Sequence, residues 1–94
     1  MAITHNSSAR QFAVTAAADE VTVDLIIKSV RWVAEAGVAG NNISIVDPQN
    51  TGETLWESVV SGANYVEAQL SETRWANGFR VSVLDSGTLY INYM

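Results

Sequence analysis

Cysteine is absent from the 94-residue sequence, and proline and histidine each occur once. Without cysteine the chain has no disulfides or thiolate metal sites, so packing alone, or contact with a neighbour, must hold it together. Zinc sites need several histidine or cysteine ligands, and His5 stands alone. It lies in a polar stretch where a catalytic base would not be fixed beside a nucleophile. We therefore expect no catalytic centre and no cofactor.

The ten acidic residues do not form a recognisable site either. Glu53 and Glu57 are four apart in a predicted strand, so they point the same way rather than across a cleft as in glycosidases. Asp47, Asn50 and Glu53 surround one turn, but their spacing matches no dedicated calcium loop. Ordinary turn chemistry is the simpler interpretation of these side chains, and a bound metal is the alternative.

Positive charge is scarce, which limits the classes of partner. Five Lys and Arg stand against ten Asp and Glu, for a net charge of −5. Nucleic acids and anionic membrane surfaces both require basic footprints, so neither is an expected partner. No apolar run approaches the roughly 20 residues of a membrane-spanning helix. The first ten residues also lack the apolar core of a signal peptide, so we expect an intracellular protein or one carried in a particle.

The fraction of charged residues is low, at 16%, against about 25% in an average soluble domain. Either the surface is rich in neutral polar groups, or part of it is covered by a partner. The length suffices for one domain. Residues 1–10 are polar and without period and predict a flexible arm, whereas residues 11–94 predict a single β domain.

Alternation of apolar and polar residues indicates strands. It begins clearly at Val21 and changes phase near Lys28-Ser29, which predicts a β-bulge or bend there. The segment 65–70 is compatible with a strand, although its residues are also good helix formers. In all, the pattern predicts six to eight short strands in an antiparallel β-sandwich or small barrel.

The most regular alternation lies near the end of the sequence. Phe79, Val81 and Val83 alternate with polar residues, and so do Leu89, Ile91 and Tyr93 after an Asp-Ser-Gly turn. Folded as a hairpin, these six side chains would lie on one face of a sheet. The odd loop length suits a turn with Gly87 in the left-handed region.

Aromatic residues are the most informative side chains. Trp32 shares a face with Val30 and is predicted to lie in the core. The other rings either pack beneath a second sheet, or anchor a partner, or form a platform for sugar rings. The candidate contact residues are Trp56, Tyr65, Trp75 and Tyr90, with Arg31 and Arg74 as polar anchors.

Four segments together resemble small structural proteins of tailed bacteriophages. They are Ile27-Lys28-Ser29-Val30-Arg31-Trp32-Val33, Leu55-Trp56-Glu57-Ser58, Gly62-Ala63-Asn64-Tyr65-Val66-Glu67 and Val83-Leu84-Asp85-Ser86-Gly87-Thr88-Leu89-Tyr90. Some of those phage proteins are decoration or cement subunits that accompany the major capsid protein. The resemblance implies a β-rich virion subunit present in many copies, a homo-oligomer with a trimer favoured, and a major capsid protein or other virion subunit as partner. It also implies residence in the virion, and in the host cytoplasm during assembly, and it supplies no catalytic residues.

Two functions therefore remain as hypotheses, and a hydrolase ranks below both for want of a positioned base. The first is a non-enzymatic capsid decoration subunit that stabilises the head lattice. The second is a carbohydrate-binding module, which would need two or three exposed, coplanar aromatic rings.

Overall fold

Ten strands account for the regular structure of the computed structural model, which describes residues 3–17, 20–49, 53–69 and 74–94, without the side chains of 67–69, 74 and 75. In chain order the strands are β1 (Ile3–Asn6), β2 (Gln11–Val14), β3 (Glu20–Val21), β4 (Leu25–Ala34), β5 (Asn42–Val46), β6 (Thr54–Val59), β7 (Tyr65–Gln69), β8 (Arg74–Ala76), β9 (Phe79–Leu84) and β10 (Thr88–Tyr93). The segment that was compatible with helix or strand is thus strand β7.

The strands form two antiparallel sheets. The larger sheet has the order β1-β2-β10-β4-β7, with β8 paired to β4 beside β7, and the smaller has the order β3-β9-β5-β6. The predicted all-β, antiparallel sandwich is confirmed. The strand number exceeds the predicted six to eight because β1 lies within the predicted arm, and because β3 and β8, of two and three residues, are too short to show a period.

One hydrophobic core lies between the sheets, and alternate residues of the central strands build it. In the larger sheet, Val14, Leu89 and Trp32 stand side by side on β2, β10 and β4, and none of them is exposed. Ile45 and Val81, paired on β5 and β9, face them from the smaller sheet. At about 25 cal/mol per Å² of apolar surface removed from water, this layer is the main stabilising term. The prediction that Trp32 is a core residue is confirmed.

The predicted bulge in β4 is present. On β10, Asn92 pairs with Ser29 and the next residue, Tyr93, pairs with Ile27, so Lys28 is the extra residue. This insertion changes the phase of the alternation, and both Ile27 and Val30 reach the core as a result. The strand bends at this point and stays within the larger sheet. Its two halves take different partners on one side, β8 along 25–27 and β7 along 30–34.

For residues 20–34 the sequence left open one bent strand that crosses two sheets, or two strands joined without a turn signal, and the structure has two strands. Val21 belongs to β3 in the smaller sheet, and Leu25 begins β4 in the larger one. Val23 lies in the connection between them and is 65% exposed. Val21 and Leu25 pack against the same core from opposite sheets. The apolar alternation therefore continues through the connection, although Val23 itself is exposed.

The predicted hairpin between the last two strands is wrong. β9 pairs with β3 and β5, whereas β10 pairs with β2 and β4 in the other sheet. The turn at Ser86-Gly87 therefore bridges the sandwich instead of joining neighbouring strands. Phe79, Val81, Leu89 and Ile91 do share one core, but they face one another across it. Apolar alternation does not distinguish these two arrangements, since both bury the same set of side chains.

A second bulge corrects the predicted position of Val83. On β5, Ser44 pairs with Val83 and Ile45 pairs with Val81, so Ser82 is the extra residue. Its hydroxyl donates to the carbonyl oxygen of Ser44, at 3.3 Å. Beyond the bulge the phase is reversed. Leu84, instead of Val83, packs against the core.

The flexible arm predicted for residues 1–10 is wrong for residues 3–10. β1 extends the larger sheet beyond β2, with Ile3 opposite Val14, and Ile3 is buried. Residues 7–10 form the turn that joins the two strands, closed by a hydrogen bond from the amide of Arg10 to the carbonyl of Ser7. The polar composition of β1 reflects its place at the edge of the sheet, where most of its side chains meet solvent.

Candidate functional site

The surface with the clearest potential for a partner is the outside of the larger sheet, which we call the outer face. Four strands place Thr4, Ala13, Tyr90 and Arg31 side by side in one row across it. A second row joins Asn6, Gln11, Asn92 and Ser29, and a third joins Thr88, Val33 and Val66. Each row alternates with a row that points into the core, as the pleat requires.

Tyr90 and Arg31 form the centre of the outer face. Leu89 and Ile91 on either side of Tyr90 are fully buried, which fixes the phenol ring on the outside. The guanidinium carbon of Arg31 lies 5.5 Å from the centre of that ring. A cation over an aromatic face contributes about 0.5–1 kcal/mol at exposed sites. The contact favours one relative arrangement of the two side chains.

Negative charge is absent from the described side chains of the outer face. Glu20 and Glu57 belong to strands of the smaller sheet, and other acidic residues, among them Asp24, Glu35 and Asp85, lie in connections between strands. Among the residues named in the three rows, Arg31 is the one that carries a charge. A chain with a net charge of −5 presents here a face that is neutral to positive.

Apolar groups surround the central pair. Val66 on β7 is 57% exposed, and Val33 and Ala13 are half-buried beside it and beside Tyr90. Ile26, farther along β4, is 38% exposed and precedes the bulge. A neutral, partly apolar face of this kind loses little solvation energy when another protein covers it.

Two of the predicted anchors do not lie on this face. Trp56 pairs with Ile45 on β5 and packs against the core from the edge of the smaller sheet. Tyr65 also packs against the core, with its ring 5.4 Å from that of Trp32 and its hydroxyl 3.1 Å from the Ser58 hydroxyl. Both were candidate contacts on the basis of residue type, because their short strands do not fix which face each side chain occupies.

Arg74 and Trp75 are placed by their backbone only. They form β8 with Ala76 and pair with Ile27 and Ile26 of β4. Their side chains lie outside the described part of the structure, so their role as anchors stays a prediction.

The residues that sequence reasoning missed are the aliphatic members of the outer face, namely Ile26, Val33 and Val66. The sequence contained a signal for two of them, because alternation is interrupted in Leu25-Ile26-Ile27 and Trp32-Val33-Ala34. In each run the middle residue lies on the opposite face of the strand from its two apolar neighbours. In this fold no second layer among the described residues covers the outside of the larger sheet.

His5 is engaged in packing within β1. Its ring stacks on Phe12 with centroids 4.3 Å apart. No cluster of three or more His, Asp or Glu with the geometry of a metal site occurs among the described residues. Nor does any described helix have the length and apolar character to cross a membrane.

Comparison with protein-family models gives no match for this chain. Searches among curated proteins and among solved structures likewise return no match. The outer face of the larger sheet is therefore the feature of this β-sandwich that bears on its function.

Proposed function

We propose that the protein is a non-enzymatic structural subunit of a bacteriophage virion, a decoration or cement protein that docks on the major capsid protein through the outer face of its larger sheet. The observation that carries the proposal is the composition of that face, where Tyr90 and Arg31 are surrounded by exposed or half-buried aliphatic groups and no described acidic side chain. The resemblance of the sequence to small phage structural proteins supplies the class of partner.

The physical chemistry of the face supports docking on a protein. Tyrosine and arginine are enriched at the energetically dominant positions of interfaces, because each combines a large contact area with a polar end. Here the two are held together in advance, so less side-chain freedom is lost on binding. Repetition in a symmetric lattice multiplies a modest affinity per subunit, since neighbouring copies bind as one unit.

The proposal includes self-association, with a trimer as the favoured state. Light scattering of the purified protein measures its molar mass directly. A mass of three chains supports the trimer, and a monomer at all concentrations contradicts this part of the proposal while leaving capsid binding open to its own test.

Capsid binding is tested by sedimentation with bare capsids. The exposed valines of the two sheets provide a matched pair, Val66 on the outer face and Val59 on the outside of the smaller sheet, which are 57% and 60% exposed. We expect Tyr90→Ser and Val66→Ser to reduce the co-sedimenting fraction at least several-fold, and Val59→Ser to bind as the unchanged protein does. Absence of co-sedimentation at every salt concentration, or equal loss in both valine variants, contradicts docking through this face.

The carbohydrate-binding alternative has less support from the geometry. Trp56 and Tyr65 pack against the core, whereas Tyr90 lies on the outer face. They do not form one platform of coplanar rings. Titration of the tryptophan fluorescence with a glycan panel remains its direct test, and a saturable change would revive it.

A further inference from the structure

A cleft of about 490 Å³ opens at the end of the larger sheet where three segments meet. The turn between β1 and β2 supplies Ser8 and Arg10, the bulge of β4 supplies Lys28 and Ser29, and the end of β10 supplies Asn92 and Tyr93. A volume of this size falls within the range of sites that hold small molecules. The cleft lies beyond the row of Tyr90 and Arg31 and is separate from that pair.

Positive charge is concentrated in this cleft. The whole sequence has five Lys and Arg, and two of them, Arg10 and Lys28, line it together without any acidic side chain. Neither has an ion-pair partner among the described residues, in contrast to Arg80, whose guanidinium lies 3.6 Å from the Glu20 carboxylate. Met94 also lines the cleft, and its α-carboxylate is the one negative group among the lining residues, so the two cations leave the cleft with a net positive charge that favours an anion.

The backbone conformation of Arg10 is a second, independent observation that points to a role for its side chain. Its φ of +51° lies in the left-handed region, which only two described non-glycine residues occupy. An asparagine, the other case, tolerates this region because of its short side chain, whereas an arginine does not gain in that way. Glycine would satisfy the turn with less strain. A strained residue in a cleft points to a use for its side chain.

The bulge of β4 orients a second part of the lining. Consecutive residues of a regular strand point to opposite faces, yet Lys28 and Ser29 both line the cleft because the bulge places them on the same side. The amide nitrogen of Asn92 donates to the hydroxyl oxygen of Ser29, at 3.0 Å. This hydrogen bond leaves the hydroxyl hydrogen of Ser29 free to donate to a ligand.

The other side of the lining is also fixed in advance. The Asn92 amide oxygen accepts from the side chain of Gln11, at 3.1 Å, and the Tyr93 hydroxyl lies 2.6 Å from Nε2 of His5. Side chains held in this way lose less conformational entropy when a ligand binds beside them.

We propose that this cleft is a binding site for an oxyanion, the carboxylate or phosphate group of a small ligand, held by Arg10 and Lys28 with Ser29 as an additional donor. Arginine supplies a planar fork that matches both groups, and lysine supplies a point charge. The site does not depend on capsid docking, and the isolated protein is sufficient to test it.

The test is an NMR titration of the isotope-labelled protein with two probes, inorganic phosphate and citrate, at low salt, with glycerol as a neutral control. We expect saturable shifts of the backbone amides of residues 8–10, 28–29 and 92–94 with at least one anion. The probe that binds more tightly identifies the class of ligand. We expect no saturable shift with glycerol.

Two variants and a control decide whether the cations bind the anion. Arg10→Gly removes the guanidinium while the backbone keeps its left-handed conformation, and its carbonyl still accepts from the Tyr93 amide, at 2.9 Å. We expect Arg10→Gly and Lys28→Gln each to weaken binding about tenfold, the loss typical of one charge-assisted contact. Arg80→Gln, which removes a cation from the other sheet, should bind as before. Two results would overturn the proposal: no saturable shift with either anion, or unchanged affinity in folded Arg10→Gly and Lys28→Gln variants.

Discussion

The Nε2 atom of His5 and the hydroxyl of Tyr93 lie 2.6 Å apart, although 88 positions separate the two residues in the sequence. The imidazole also stacks on Phe12, and Phe12 in turn contacts the rings of Tyr93 and Phe79. A group of rings thus joins the outermost strand β1 to β10 in the middle of the larger sheet. The single histidine of the chain therefore acts as a structural link.

Replacing His5 by alanine should loosen the edge of the larger sheet. The variant loses a stacked ring and a hydrogen bond, and we expect the free energy of unfolding to fall by about 1 kcal/mol. Urea unfolding followed by fluorescence measures the change, and hydrogen exchange of Ile3–Asn6 should accelerate. Thr4→Ala, on the neighbouring outward position of β1, is the control and should have a smaller effect. Equal effects of the two variants would contradict the structural role of the imidazole.

Replacing Ser86 by alanine should raise the free energy of unfolding instead of lowering it. The Ser86 hydroxyl oxygen is buried and has no hydrogen-bond partner among the described residues, while the Ser86 carbonyl accepts from the indole of Trp32, at 2.8 Å. Ser86→Ala removes an unsatisfied polar atom and keeps that carbonyl. We expect a gain of up to about 1 kcal/mol in the free energy of unfolding.

The matched variant is Ser58→Ala. The Ser58 hydroxyl lies 3.1 Å from that of Tyr65, so its removal deletes a hydrogen bond between β6 and β7. Thermal unfolding should show a higher midpoint for Ser86→Ala and a lower one for Ser58→Ala. A lower midpoint for Ser86→Ala would show that its hydroxyl is satisfied in solution.

Gly87 should tolerate no side chain. Its φ is +79°, and an added Cβ would lie 2.1 Å from the carbonyl oxygen of Val33. We expect Gly87→Ala to lower the free energy of unfolding by at least about 2 kcal/mol, from the left-handed backbone and the displacement of β4 together. Gly62→Ala is the control, because nothing lies within 4 Å of a Cβ at that position. A comparable loss in both variants, measured by urea unfolding, would argue against the turn as described.

Arg10→Gly should stabilise the fold while it weakens anion binding. Glycine accepts the left-handed φ that Arg10 now adopts, and we expect the free energy of unfolding to rise by up to about 1 kcal/mol. Ser8→Gly, in the same turn but without positive φ, should be neutral or slightly destabilising, because glycine increases the entropy of the unfolded chain. A destabilised Arg10→Gly variant would indicate that the arginine stabilises the turn through its side chain.

The sequence was sufficient for the class of fold and for features that depend on local phase. Alternation predicted the antiparallel sandwich, the change of phase near Lys28 predicted the bulge, and the turn chemistry predicted positive φ at Gly87. Each of these follows from a few neighbouring residues. Local patterns therefore identify strands and turns before any tertiary contact is known.

Strand pairing and the exposed surface required the three-dimensional structure. The alternation of Val81 and Leu89 fits a hairpin as well as it fits two sheets that face each other, because side-chain period carries no information on hydrogen-bond partners. Similarly, Trp56 and Tyr65 were assigned outward positions from residue type alone, and their edge strands turn them inward. For Tyr90, fully buried neighbours on both sides placed the ring on the outer face.

The position of β10 has a consequence for how the protein is made. It follows every other described strand in the chain, yet it lies between β2 and β4 and supplies the hydrogen-bond partner of each. While residues 88–93 are still inside the ribosome, no backbone hydrogen bonds can join the β1-β2 pair to strands β4 and β7. The larger sheet therefore closes only after synthesis of this segment, in a late and cooperative step dominated by contacts distant in sequence.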